Sequence, residues 1–179
     1  MKDFKVKGVK QVYSGRIVDL SVETIILPDG KETMREVVRH RGAVAIVPMV
    51  SASEVILIKQ FRSCAEKTLW EIPAGTMEQG EMPLACAQRE LIEETGYRAG
   101  KMEPLGGFFT SPGFCNEFLH LFLATKLERC ESNLDTDEQI EVHRVSMEEA
   151  LRKIDNGEIV DAKTLVGLMR ASRMTLRFS

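Results

Sequence analysis

The chain has 179 residues, with 24 Lys and Arg against 27 Asp and Glu and a formal net charge of -3. Apolar residues make up 44% and charged residues 28%, the balance of one folded domain that buries its own core without staples. Mild acidity without a basic block argues against nucleic acid as a partner. The longest apolar run, Ala43 to Val50, is interrupted by Pro48 and is far too short to span a bilayer, so no membrane role is expected.

The N-terminal residues alternate charge with small apolar side chains and contain no secretory h-region. Cys64, Cys86, Cys115 and Cys130 are widely spaced without a C-x-x-C pair. That reads as free thiols in a reducing compartment, and a cytoplasmic location is expected. Residues 1–40 read as a small antiparallel β region, and 41–179 as the main domain. In the first, Val18, Leu20 and Val22 alternate with Asp19, Ser21 and Glu23, and Pro28-Asp29-Gly30 marks a turn before the return strand. A hairpin with one wet face follows. Strands are then expected over Ala43–Val50 and Val55–Gln60. A helix follows from Pro83 to about Thr95, stopped by Gly96, and further strands cover Leu105–Phe109, Phe118–Lys126 and Gln139–Val145. Ser146 caps a helix that ends near Gly157, and Asp161 caps a last helix to about Arg173.

The predicted helix at Pro83 carries the chemistry. Glu90, Glu93 and Glu94 are three and four apart and share one flank. Each stands near the C-terminal end, where the macrodipole disfavours an anion by about 0.3–1 kcal/mol. A solvated acidic face is one reading of such a triplet. The other starts from its unfavourable position and from the Pro73-Ala74-Gly75 loop, which can bring a backbone carbonyl close. Carboxylates plus a carbonyl make a hard-oxygen site suited to Mg²⁺ or Mn²⁺.

Residues 75–97 resemble the Nudix box. Gly75, Glu81, Arg89-Glu90-Leu91-Ile92-Glu93-Glu94 and Thr95-Gly96 fall at its fixed positions, with Tyr97 in place of the usual terminal aliphatic residue. The resemblance implies an α/β fold, an α/β/α sandwich around a mixed sheet, with the box as loop–helix–loop. It also implies divalent-metal hydrolysis of a nucleoside diphosphate linked to another group. Glu90, Glu94 and the Ala74 carbonyl take the place of metal ligands, with Glu93 in the same cluster. Arg89 orients the glutamates, and Glu81 anchors the loop.

Pro112, sixteen positions after Gly96, is similar to the marker of the ADP-ribose pyrophosphatase subgroup. The segments around Lys59–Arg62, Trp70–Gly75, Phe108–Gly113 and Asp137–Val142, and the N-terminal hairpin, resemble that subgroup too. This implies substrate contacts from Arg62, Glu71, Ser111, Pro112, Gly113 and Glu117. For Arg62 the residue alone fits a surface arginine equally well, and for Glu117 a solvated charge at a strand start. Glu138 is expected as catalytic base, with Glu93 and Asp137 as rivals. The implied reaction is Mg²⁺-dependent cleavage of ADP-ribose to AMP and ribose 5-phosphate by a homodimer joined through its N-terminal strands. A broader nucleoside-diphosphate-sugar hydrolase, accepting GDP-mannose for example, and a non-catalytic nucleotide-binding regulator are the alternatives.

Overall fold

The computed structural model describes residues 4–130 and 139–175. The chain divides into two compact units, Met1–Gly42 with Phe109–Phe118, and Ala43–Phe108 with Leu119–Ser179.

The first unit is a three-stranded antiparallel sheet, β1 (Lys5–Ser14), β2 (Val18–Ile26) and β3 (Glu32–His40), in that order. The β2–β3 register runs unbroken from Val18↔His40 to Ile26↔Glu32, as the turn at Pro28–Gly30 requires. Strand β1 extends the expected hairpin. Its residues are exposed throughout, so no burial-driven alternation marked it in the sequence. The expected wet side is also corrected. Ser21 and Glu23 are the buried residues of β2, while Leu20 and Val22 are only half-buried. Arg39 Nη2 donates to Glu23 Oε1 at 2.6 Å and supplies the charge that makes this burial tolerable. The loop 109–118 closes the outer edge of β3, with the Val38 N–H donating to the Phe114 carbonyl and the Asn116 N–H to the Val38 carbonyl.

The second unit is a mixed sheet with helices on both faces, the α/β sandwich expected. Its path is β10 (Ile140–Ser146), β5 (Glu54–Arg62), β4 (Ala43–Ser51), β9 (Phe118–Arg129) and β8 (Tyr97–Phe109). Two short strands, β6 (Lys67–Glu71) on β5 and β7 (Ala74–Thr76) on β4, lie off this path. Strands β4 and β9 run parallel, and the other recorded pairs are antiparallel. The run Ala43–Met49 is buried on both sides because each face meets a helix. On one face Val44, Ile46, Phe122 and Ala124 pack on Cys86, Ala87 and Leu91 of α1 (Pro83–Thr95). On the other, Ala45, Val47, Leu57 and Leu121 pack with Met147 and Ala150 of α2 (Met147–Asp155) and Leu168 and Ala171 of α3 (Ala162–Thr175). No described helix is long and apolar enough to cross a membrane.

One feature of this sheet positions the site. Strands β4 and β5 pair only at their hairpin end, Met49↔Val55 and Ser51↔Glu54. Further along they part, and β6 and β7 fill the wedge between them. Pro73 lies at the tip of the wedge, its carbonyl accepting the Ile46 N–H at 2.9 Å. The sequence reading missed β6, β7 and the first half of β8, where apolar alternation is weak. It located α1 closely. Pro83 opens that helix, and Gly96 ends it at φ 68°, its N–H donating to the Ile92 carbonyl.

Leu91 is fully buried and fastens α1 to the sheet. Leu91→Ala is expected to cost about 2–5 kcal/mol of stability, measured by urea denaturation followed by circular dichroism.

Candidate active site

Arg89 organises the acidic helix. Its Nε and Nη2 donate to the two oxygens of Glu81, each at 3.0 Å. Its Nη1 donates to Glu90 Oε1 and to Glu93 Oε2, both at 2.8 Å. The guanidinium is thus committed to three carboxylates at once and holds the box loop, the helix and the glutamates in one arrangement. Hydrogen bonding to Glu81, ahead of the charge of Glu90 and the hydrogen bond to Glu93, keeps Arg89 firmly protonated. The same bond holds the Glu81 carboxyl down to about 2, against an ordinary 4.5. Arg89 therefore bridges Glu81, Glu90 and Glu93 through a single guanidinium. With all its donor nitrogens engaged, it is a positioning group within the site. Beneath it, burial and then Glu81 push the Cys86 thiol up to about 12, which leaves this cysteine inert.

The helix meets the split sheet at β7. Glu90 lies so close to Gly75 that a Cβ there would fall inside its carboxylate. Any larger residue at this position would have to displace the Glu90 carboxylate. Glu94 is 3% exposed, and its Oε2 accepts the Ala74 N–H at 2.9 Å. Two carboxylates on successive turns of α1 therefore rest on the three-residue strand that also carries the Ala74 carbonyl. Among the described residues, no three His, Cys, Asp or Glu side chains converge on a single point. The donors that do gather at the Gly75 cradle are all hard oxygens, the set that suits Mg²⁺ or Mn²⁺ and not a softer metal. Glu81, Glu90, Glu93 and Glu94 bring four carboxylates against Arg89, the one basic residue of α1, so a divalent cation fits the charge as well.

Arg62 and Glu71 stand beside this cluster. Arg62 Nε and Nη2 donate to Glu71 Oε1 and Oε2 at 2.8 and 2.7 Å. Glu71 is 1% exposed and is also bound by Lys163. Burial works to raise the Glu71 carboxyl, but the bonds from Arg62 and the charge of Lys163 outweigh it and hold it below the ordinary value. Glu71 is accordingly a buried anchor for Arg62. Arg62 itself is 39% exposed and feels the charge of Glu94. Lys163 was absent from the sequence reading, though one signal marked it. It is a lysine in the first turn of a helix, where the macrodipole disfavours a cation.

Ser111, Pro112, Gly113 and Glu117 belong to the first unit. The Ser111 carbonyl accepts the Phe114 and Cys115 N–H groups, closing a tight turn through Pro112 and Gly113. Pro112 and Gly113 line a cavity of about 520 Å³ with Phe109, Phe114, Arg35 and Arg39. Glu117 Oε2 accepts the Thr110 hydroxyl at 2.7 Å, and Oε1 lies 3.5 Å from His40 Nδ1. Glu138 and its rival Asp137 lie outside the described residues.

An acidic helix seated through a glycine on the backbone of a split mixed sheet defines a class, and comparison with known proteins agrees. The NUDIX domain profile matches residues 39–166. The chain belongs to the NUDIX family. It is 46% identical over 168 residues to an ADP-ribose pyrophosphatase of Bacillus subtilis (strain 168), covering 92% of this chain and 91% of that one. It is 42% identical over 171 residues to a methanol dehydrogenase activator of Bacillus methanolicus, covering 93% and 92%. A solved structure described as an ADP compounds hydrolase superposes with a TM-score of 0.88 over 100% of this chain and 97% of that chain, at 20% identity, a likeness of fold.

The depressed Glu81 carboxyl yields a pH test. Stability from its pair with Arg89 is fully present above 4.5, the ordinary glutamate value, and is lost as pH falls toward about 2. Glu81→Gln should therefore lower the melting temperature most near neutrality. The gap between variant and wild type should close as pH drops through that window, as followed by thermal denaturation.

Proposed function

We propose that this protein is a metal-dependent pyrophosphohydrolase that cleaves the diphosphate of ADP-ribose. Water is added across the P–O–P anhydride: one phosphorus takes the hydroxyl oxygen and the other keeps the bridging oxygen, giving AMP and ribose 5-phosphate. The observation that carries this reading is the full set of box carboxylates seated on β7, in a chain 46% identical to an ADP-ribose pyrophosphatase.

Glu90, Glu94 and the Ala74 carbonyl would hold Mg²⁺, with Mn²⁺ as a substitute. A cation bound there supplies Lewis acidity and a lowered pKa for its water. Arg62 offers its Nη1, which bonds nothing among the described residues, to a diphosphate oxygen, and Glu71 holds Nε and Nη2. Glu93 shares Arg89 with Glu90 and keeps one oxygen outside that bond, which suits it to take a proton. Glu138 is the alternative base. In the first unit, the aromatic cavity bearing Pro112 and Gly113 is a substrate-contacting surface. That unit also mediates homodimerisation: Val6, Val9, Val12, Tyr13 and Met34 are each more than half exposed, an apolar burden that a second copy would cover.

The test is a substrate panel with Mg²⁺: ADP-ribose, GDP-mannose, UDP-glucose, NADH and diadenosine polyphosphates, with products resolved by chromatography. ADP-ribose should be cleaved fastest, chelation should stop it, and Glu94→Gln should lower kcat by about a hundredfold or more. Comparable cleavage of several sugars would widen the substrate class. Unchanged turnover in Glu94→Gln would refute the site. Light scattering at micromolar concentration should give twice the chain mass of 20.1 kDa, and a monomer would sink the dimer reading.

A further inference from the structure

Lys163 is the second residue of α3, and its side chain is 13% exposed, a partly buried cation at the helix end that disfavours one. Two carboxylates hold it there. Its Nζ bonds Glu71, and Asp161 Oδ2 lies at 3.1 Å. Asp161 is itself fixed, accepting the Thr164 N–H at 3.0 Å and the Thr164 hydroxyl at 2.6 Å. The Thr164 hydroxyl oxygen in turn accepts the Ile72 N–H at 2.9 Å, next to Glu71 in the chain. The N-terminus of α3 is thus tied to the strand end carrying Glu71 by the Lys163–Glu71 side-chain bond and by the Ile72 N–H bond to the Thr164 hydroxyl.

The charges in this group balance. Arg62 and Lys163 are two cations, and Glu71 and Asp161 are two anions. Arg62 spends Nε and Nη2 on Glu71, and among the described residues its Nη1 makes no hydrogen bond. Without Lys163, one guanidinium would face two carboxylates, with Glu94 as a third charge that it already feels. Arg62 would then be drawn into compensating its own neighbours, and its pull on an incoming anion would fall.

We propose that Lys163 is a positioning residue for substrate binding. By neutralising and fixing Glu71, it sets the Arg62 guanidinium so that Nη1 is presented to a diphosphate oxygen. This rests on the reading of Arg62 as a diphosphate ligand, and it assigns Lys163 a role in affinity and none in the bond-breaking step.

The experiment compares wild type with Lys163→Met, Lys163→Arg and the double variant Glu71→Gln/Lys163→Met. It reads kcat and KM for ADP-ribose, the Kd of ADP by calorimetry, and the melting temperature. Lys163→Met should raise KM and the ADP Kd about tenfold with kcat within about twofold, and Lys163→Arg should restore most of the affinity. The double variant removes one charge of each sign. It should recover the melting temperature while KM and Kd stay raised, because Arg62 still lacks its charged anchor. Wild-type KM and Kd in Lys163→Met would overturn the proposal. So would a double variant that recovers affinity together with stability, since Lys163 would then only offset a buried charge. Should Lys163→Met fail to fold, the double variant and Lys163→Arg decide by the same criteria. Wild type that binds ADP but does not cleave ADP-ribose would refute the proposed reaction and leave the Kd comparison to judge Lys163. Wild type that does not bind ADP would overturn both.

Discussion

The seat of α1 on β7 is the contact from which the rest of the second unit takes its shape. Two glutamates near the end of a helix, where the dipole opposes them, are held against a three-residue strand. One is received by the space left at a glycine, and the other by a backbone N–H. Such a seat is stable only if something else absorbs the charge. Within the chain that role falls to Arg89, which joins Glu81, Glu90 and Glu93 through one planar fork. The apolar side of the same helix, through Cys86, Ala87 and Leu91, anchors it to the sheet. A helix that would be unfavourable alone is thereby set firmly in place.

The sheet makes room for this seat by splitting. Strands β4 and β5 leave their hairpin together and then separate, and the wedge is filled by strands too short to fold by themselves. The turn between β6 and β7 is pinned from both faces. Ile46 in β4 donates to the Pro73 carbonyl, Glu94 in α1 accepts from Ala74, and Thr164 in α3 accepts from Ile72. Ile72 and Pro73 form an irregular link between two short strands, yet each neighbouring layer contributes a bond to the segment 72–74. This is how a backbone carbonyl and an arginine anchor can be placed with the precision usually reserved for regular elements.

Much of this was legible from residue order. The Pro83 start and Gly96 stop of α1, the shared flank of Glu90, Glu93 and Glu94, the Ser146 and Asp161 caps and the buried run of β4 all depend on neighbours within a few positions. The alternation in β2 misled, because burial of Glu23 rests on Arg39, sixteen residues away and across a strand. Strand β1, exposed throughout, carries no periodic signal of burial. Glu71 was read as touching substrate. In the structure its two oxygens accept from Arg62 and Lys163, the latter 92 residues distant and so invisible to any local reading.

By itself, then, the sequence determined the helix with its acidic flank, the donor chemistry and the family to which these belong. All of these follow from local spacing and from the elementary properties of side chains. The split of the sheet, the saturation of Arg89, the burial of Glu71 and the recruitment of Lys163 were decided only by tertiary structure. Each depends on which distant carboxylate or cation shares a low-dielectric space with its partner. That is a property of packing, and residue order does not encode it within any short window.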